Sequence, residues 1–216
     1  IHRPIVAFDR TLGEGVPAVR SDHEQGGRLI ARQLIDSGAR HVVLVGGPRS
    51  QFAEATTFPT IRYHLTVERM LDDAGIACDY VEAGIVADIC AHEATARAIF
   101  ERYSDVDAIV GSDLVASVAL QEALRRGISV PRDLQIIAYD GTFMAETAGM
   151  RLTAVRQDFP AVAAALASRM DSQIAADNGT TSAAAAEGGN AVAANGGQST
   201  SEDIISVTLI PGETTR

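Results

Sequence analysis

The sequence predicts an α/β fold of doubly wound parallel sheets. Short apolar runs alternate with stretches of helical periodicity along most of the chain, and strands that alternate with helices pair in parallel through crossover connections. Runs such as His41–Val45 and Ala108–Val110 are close to continuously apolar, as strands covered on both faces must be. The runs pass into Gly, Ser and Asp at their carboxyl ends, where open parallel sheets bind their ligands. With 216 residues there is room for one large domain or two smaller lobes.

Taken in order, Ile5–Phe8 reads as a strand. Asp22 is the natural N-cap of a helix in which Leu29, Ile30, Leu34 and Ile35 share a face, and Gly38 stops it. His41–Val45 is a strand that ends in Gly46, Gly47 and Pro48, and a long loop follows. A helix from about Arg62 to Ala74 closes at Gly75. Then come a short strand at Tyr80–Ala83, a helix over Ile89–Tyr103 and a strand at Ala108–Val110 running into Gly111, Ser112 and Asp113. The next helix ends at Arg126 before Gly127, and Leu134–Tyr139 forms the strand that leads to Asp140. Leu152–Arg156 is extended, and Pro160 opens a helix to about Ala175. Residues 177–202 consist largely of Gly, Ala, Ser, Thr and Asn. Such a stretch buries too little apolar surface to offset its ordering entropy, so it reads as a flexible surface loop. A terminal strand covers Ile204–Ile210.

Composition removes several classes of function. A net charge of −10, from 28 acidic and 18 basic residues, gives these residues no means of holding DNA, because phosphate neutralisation needs clustered cations. No run approaches the ~18 apolar residues of a membrane span. The two cysteines, Cys78 and Cys90, are too few for a disulfide framework and read as buried small hydrophobes in a reducing cytoplasm. The five histidines lack metal-ligand spacing, and neither a nucleophile elbow nor a phosphate-binding loop is present. Gly46-Gly47-Pro48 lacks the glycine spacing of a dinucleotide site. Asp72 and Asp73 read as a solvated helix end. No enzyme, cofactor or metal is expected.

The polar residues beyond the strands remain: Asp9 and Arg10, Arg49 after Gly47-Pro48, Ser112 and Asp113, and Asp140. Carboxylates accept from vicinal hydroxyls and guanidinium groups donate to ring and hydroxyl oxygens, which suits a sugar or similar polyol. Asp22 fits a capping role better than a ligand role, Asp113 fits either, and Asp140 reads as a ligand contact because no helix is evident close behind it.

Six segments in register resemble the lactose-repressor/galactose-repressor family of transcription regulators. They are PIVAFDR at Pro4–Arg10, Asp22–Leu34 continuing to Ser37–His41, Gly47-Pro48 with Arg62, GSDLVA at Gly111–Ala116, GISVPRDLQIIAYD at Gly127–Asp140 and LTAVRQ at Leu152–Gln157. The resemblance implies a periplasmic-binding-protein-like fold of two doubly wound lobes with an effector, a sugar, between them and with the N-terminal lobe incomplete. It assigns 1–21 and 152–176 to that lobe and 22–151 with 203–216 to the C-terminal effector-binding lobe. It also makes Asp140, Arg62, Asp9 and Ser112 the ligand-binding set. The loop from Pro48 to Arg62 is longer than in the family, so Arg49 or Gln51 takes the place of a further arginine. Val86 stands where relatives carry a stacking aromatic.

By the same resemblance the chain is a fragment of a cytoplasmic, homodimeric regulator that binds operator DNA through a helix-turn-helix segment preceding Ile1. A sheet without its first strands would expose an unpaired edge. The alternative is a solute-binding protein of a sugar transporter, which shares the architecture.

Overall fold

The computed structural model describes residues 3–10, 12, 13, 15–52, 60–83, 88–186 and 202–216. In chain order the elements are β1 (Ala7–Phe8), β2 (Ala18–Ser21), α1 (His23–Asp36), β3 (His41–Gly46), a 3-10 turn at Arg49–Phe52, α2 (Ile61–Asp73), β4 (Ala77–Glu82), α3 (Ile89–Arg102), β5 (Ala108–Ser112), α4 (Asp113–Arg125), β6 (Gln135–Asp140), α5 (Phe143–Thr147), β7 (Thr153–Gln157), α6 (Phe159–Ala186), β8 (Glu202–Ile205) and β9 (Val207–Ile210). They fall into two compact units. Among the described residues, the smaller draws on those within 3–21, 158–186 and 202–205, and the larger on those within 22–52, 60–157 and 206–216.

The larger unit is a sheet in the order β4-β3-β5-β6-β7-β9. Its strands run parallel except β9, which pairs antiparallel with β7. Because side chains alternate across a strand, β3, β5, β6 and β7 each feed two cores. Val42, Leu44, Ala108, Val110, Ile137, Tyr139 and Val155 pack with Ile30 and Leu34 of α1 and Val67 and Leu71 of α2. Val43, Val45, Ile109, Ile136, Ala138 and Ala154 pack with Ile99 of α3 and Ala116, Ala119 and Leu120 of α4. Ile30, Leu34, Leu44, Ile109, Ile136 and Ile137 are fully buried, each stabilising the unit by roughly 1.5–3 kcal/mol.

Asp22 caps α1 as anticipated, its Oδ1 accepting from the Gln25 N–H at 2.8 Å, and Gly38 ends the helix at φ +69°. The glycine pair inside α1 has a packing cause. A Cβ on Gly26 would stand 2.8 Å from the Tyr139 ring, and one on Gly27 would stand 2.6 Å from the Tyr63 carbonyl oxygen. Two glycines weaken a helix by about 1 kcal/mol each, but here they let α1 settle directly on β6 and α2.

In the smaller unit β1, β2 and β8 form a parallel sheet packed against α6. Arg20, buried on β2, reaches Glu202 of β8 at 2.7 Å, and Arg169 of α6 donates to Asp203 at 2.6 Å.

Several expectations are revised. Residues 152–157 join the larger unit rather than the N-terminal lobe, because β7 lies in register with β6 from Ile137↔Thr153 to Asp140↔Arg156. The single strand expected over Ile204–Ile210 is two strands, broken at Ser206, one in each sheet. The helix from Phe159 continues to Ala186, so the expected loop does not begin at 177; alanine-rich chain satisfies its backbone within a helix. The remainder of that loop, 187–201, lies outside the described residues. The first strand contracts to Ala7–Phe8. Cys78 is half-buried, its thiol pushed up to about 12 by burial, whereas Cys90 is exposed on α3, against the expectation of a buried small hydrophobe.

Candidate ligand site at the carboxyl edge of the larger sheet

The order β4-β3-β5-β6 reverses direction between β3 and β5. The crevice outside such a reversal is where open α/β sheets bind ligands. Ser112 ends β5 at this edge and lies opposite Tyr139 of β6, so Asp140 stands one residue further out on the neighbouring strand.

Asp140 has a φ of +110° and Asp9 a φ of +44°; among the described residues these are the two non-glycine positions with positive φ. For a side-chain-bearing residue that conformation costs on the order of 1–3 kcal/mol and persists where its surroundings over-determine it. At Asp140 those surroundings are visible. Gln157, buried at the end of β7, donates from Nε2 to Asp140 Oδ1 at 2.7 Å. The next two backbone N–H groups, of Gly141 and Thr142, donate to the carboxylate of Asp113 at 3.1 and 2.6 Å. The Thr142 hydroxyl adds a third bond to Asp113 at 2.6 Å. Burial raises the Asp113 carboxyl above its usual range, with the bonds from Thr142 and Gly141 opposing the shift. Arg156 closes over the turn, donating to the Gly141 carbonyl at 3.2 Å and to Glu146 at 2.6 Å. Asp9 belongs to the smaller unit, where its Oδ1 accepts from the Ser21 N–H at 3.3 Å.

Asp113 therefore braces the 140–142 turn and is the first residue of α4, not its cap. The cap is Ser112, whose Oγ accepts from the Val115 N–H at 3.4 Å. A hydroxyl accepting in this way still has its own proton to donate. Contrary to the sequence reading, a short helix, α5, does follow Asp140, and Thr142 caps it.

Arg62 lies in the first turn of α2 and donates to Glu24 of α1 at 3.1 Å. Arg49 is engaged otherwise: it forms a paired ion bridge with Glu68, and its guanidinium lies 4.0 Å above the Tyr80 ring and 4.6 Å above that of Phe52. The bridge to Glu68 raises its pKa further. Asp140 and Ser112 are thus brought to adjacent strand ends, while Arg49 is tied to β4 at the sheet margin. Val86 lies outside the described residues, and nothing is described of the Gln51 side chain.

Behind Asp140 runs a layer of rings that the sequence reading did not anticipate. The fully buried His23 bonds through Nδ1 to the Tyr139 hydroxyl at 2.7 Å. Tyr139 stacks on Tyr63 at 3.9 Å with planes 5° apart, and Tyr63 meets His64 at 3.8 Å. Burial holds the Tyr63 phenol well above its ordinary pKa and lowers His64 to about 4. Both groups are neutral near pH 7. The other omission is Gln157, present in the LTAVRQ segment but unassigned. Its signal was position: it closes a strand that ends at the same edge as Asp140.

An open parallel sheet carrying a braced carboxylate at its carboxyl edge is the architecture of a small-molecule-binding α/β domain. The sequence profile of the periplasmic binding protein-like domain matches residues 31–190, and the chain belongs to that family. It is 35% identical over 140 residues to the ribose operon repressor of Bacillus subtilis, covering 63% of this chain and 40% of that protein. It is 28% identical over 163 residues to the sucrose operon repressor of Streptococcus mutans, covering 76% and 48%. The chain spans less than half the length of these curated relatives. Among solved structures, a LacI family transcriptional regulator from Arthrobacter sp. FB24 in complex with lactose superposes with a TM-score of 0.77 at 21% identity, covering 99% of this chain and 72% of that one.

No helix among the described residues is long and apolar enough to cross a membrane.

Proposed function

We propose that this chain is the effector-sensing part of a DNA-binding transcription regulator, and that its effector is a sugar held at the carboxyl edge of the larger sheet. The observation that carries the reading is Asp140. Its carboxylate is held in a costly backbone conformation by Gln157 and by the braced turn beyond it, and a carboxylate fixed in this way suits a pair of vicinal hydroxyls. Ser112 on the adjacent strand supplies a hydroxyl, and Arg62 at the start of α2 supplies a guanidinium. The relatives named above are operon repressors for ribose and sucrose, which supports sensing rather than transport or catalysis. With a net charge of −10, contact with operator DNA falls to residues outside this chain, in a cytoplasmic homodimer. Ligand then acts by shifting a conformational equilibrium, to the extent of its differential affinity for the two states.

The test is a thermal-shift screen of ribose, sucrose, cellobiose and lactose. A sugar at a hundred times its Kd stabilises the folded state by about 2.7 kcal/mol, and Asp140→Asn should remove the response. A sugar that binds Asp140→Asn as tightly as wild type would overturn the site.

A further inference from the structure

A second concave feature of the larger unit carries a different charge. Between α1 and α2 lies a groove of about 370 Å³ lined by Glu24 and Arg28 of α1 and by Arg62, Leu65, Thr66 and Arg69 of α2. Its ionic lining is three guanidinium groups against one carboxylate, in a chain whose net charge is −10. The chain has no lysine, so all 18 of its basic residues are arginines. Many of them close on carboxylates, as Arg20 does on Glu202, Arg132 on Asp133, Arg156 on Glu146 and Arg169 on Asp203. In the groove the pairing is thinner. Arg62 reaches Glu24 through Nη1 at 3.1 Å, Arg28 stands 3.7 Å from Asp22, and Arg69 has no ion pair among the described residues.

Arg62 and Arg69 are seven residues apart, roughly 10 Å along the helix axis, and Arg28 faces that interval from α1. Three like charges gathered along two helical turns repel one another unless an anion joins them. Guanidinium is the group whose planar donors match the paired oxygens of a phosphate. Leu65, exposed on the groove, offers an apolar wall to the organic part of a ligand. The volume is at the scale of small-ligand pockets, so a small molecule is the fitting occupant.

We propose that the groove between α1 and α2 is a binding site for a small molecule carrying a phosphate group, recognised by Arg28, Arg62 and Arg69. It shares only Arg62 with the sugar site at the sheet edge. An occupant that draws Arg62 along the groove, away from Glu24, would couple the two sites. A phosphorylated sugar and free inorganic phosphate present the same chemistry to the arginines, and the experiment separates them.

Calorimetry on the full chain would titrate glucose 6-phosphate, inorganic phosphate and glucose in parallel. Saturable binding of glucose 6-phosphate without binding of glucose is expected, weakening as ionic strength rises. Binding of inorganic phosphate at comparable affinity would make the anion alone the ligand; much weaker binding would make it a phosphorylated organic molecule. Arg69→Gln should weaken the interaction about tenfold or more, and Arg28→Gln with Arg69→Gln should abolish it. Circular dichroism and the neutral-sugar response of the same variants, unchanged, would show the fold and the strand-edge site intact. If folding suffers in the double variant, Arg69→Gln alone decides. The proposal fails if millimolar glucose 6-phosphate and phosphate give no saturable heat, or if the arginine variants bind as wild type does.

Discussion

The side-chain amide of Gln157 and the carboxylate of Asp140 meet at 2.7 Å across the ends of two neighbouring parallel strands. Asp140 pairs in register with Arg156, so Gln157 lies one residue beyond the ladder. Its bond anchors a residue whose φ of +110° a side chain seldom adopts. At the proposed sugar site, a carboxylate fixed in this way would reduce the ordering cost of binding.

Gln157→Leu keeps the volume near β7 and removes the donor. Stability should fall by about 1 kcal/mol, the net worth of one hydrogen bond, and the affinity for the effector sugar should fall about tenfold, or ~1.4 kcal/mol. Urea unfolding and calorimetry measure the two quantities separately. A variant that loses stability but retains full affinity would show that Gln157 does not position Asp140.

Gly26→Ala tests the contact of α1 with Tyr139. Alanine is the better helix former by about 1 kcal/mol, yet its Cβ would lie 2.8 Å from the tyrosine ring, and overpacking of that kind costs roughly 1–3 kcal/mol. The overpacking should win, giving net destabilisation. In a Tyr139→Leu background the obstruction is gone, so the same substitution should become neutral or stabilising. A double-mutant cycle with no coupling energy would refute the steric account.

His41 makes a pH-dependent contribution at the opposite edge of the sheet. Its imidazole lies 3.0 Å from Asp79 through Nε2 and 2.9 Å from Asp105 through Nδ1. Burial lowers its pKa, but the hydrogen bonds to both carboxylates and their charges outweigh this and raise it above 6.5. The folded state therefore binds this proton more tightly than the unfolded state. The stabilisation is fully present below pH 6.5 and is lost as pH rises through the folded value. His41→Gln should accordingly cost most below pH 6.5 and least well above it. A stability gap that is constant with pH would contradict the assignment.

Most of the larger unit was legible in the sequence because its signals are local. Apolar runs, the Asp22 cap and glycine stops at Gly38, Gly75 and Gly127 mark their elements without any long-range information. β7 and the break at Ser206 were assigned differently because which sheet a strand joins is decided by pairing partners distant in sequence: Thr153 with Ile137, and Glu202 with Ala18. The same reason explains the site. Asp140 and Ser112 follow recognisable strands, whereas the bond from Gln157, the bracing by Asp113 and the Tyr139–Tyr63 stack exist only once separate segments meet.

Asp140→Gly and Asp140→Ala remove the same carboxylate and leave different backbones. In the alanine variant the φ of +110° persists without the bond to Gln157, so strain and a lost hydrogen bond add. Glycine adopts that conformation readily, so the strain of roughly 1–3 kcal/mol is relieved, offset by about 1 kcal/mol of extra unfolded-chain entropy. Asp140→Gly should therefore be more stable than Asp140→Ala, and close to wild type, while both lose the sugar response. Equal stabilities for the two variants would mean that the backbone at Asp140 stores no strain. A retained sugar response in Asp140→Gly would instead remove the carboxylate from the binding site. Stability and ligand response measured on this one pair thus separate the conformational role of the residue from its chemical one.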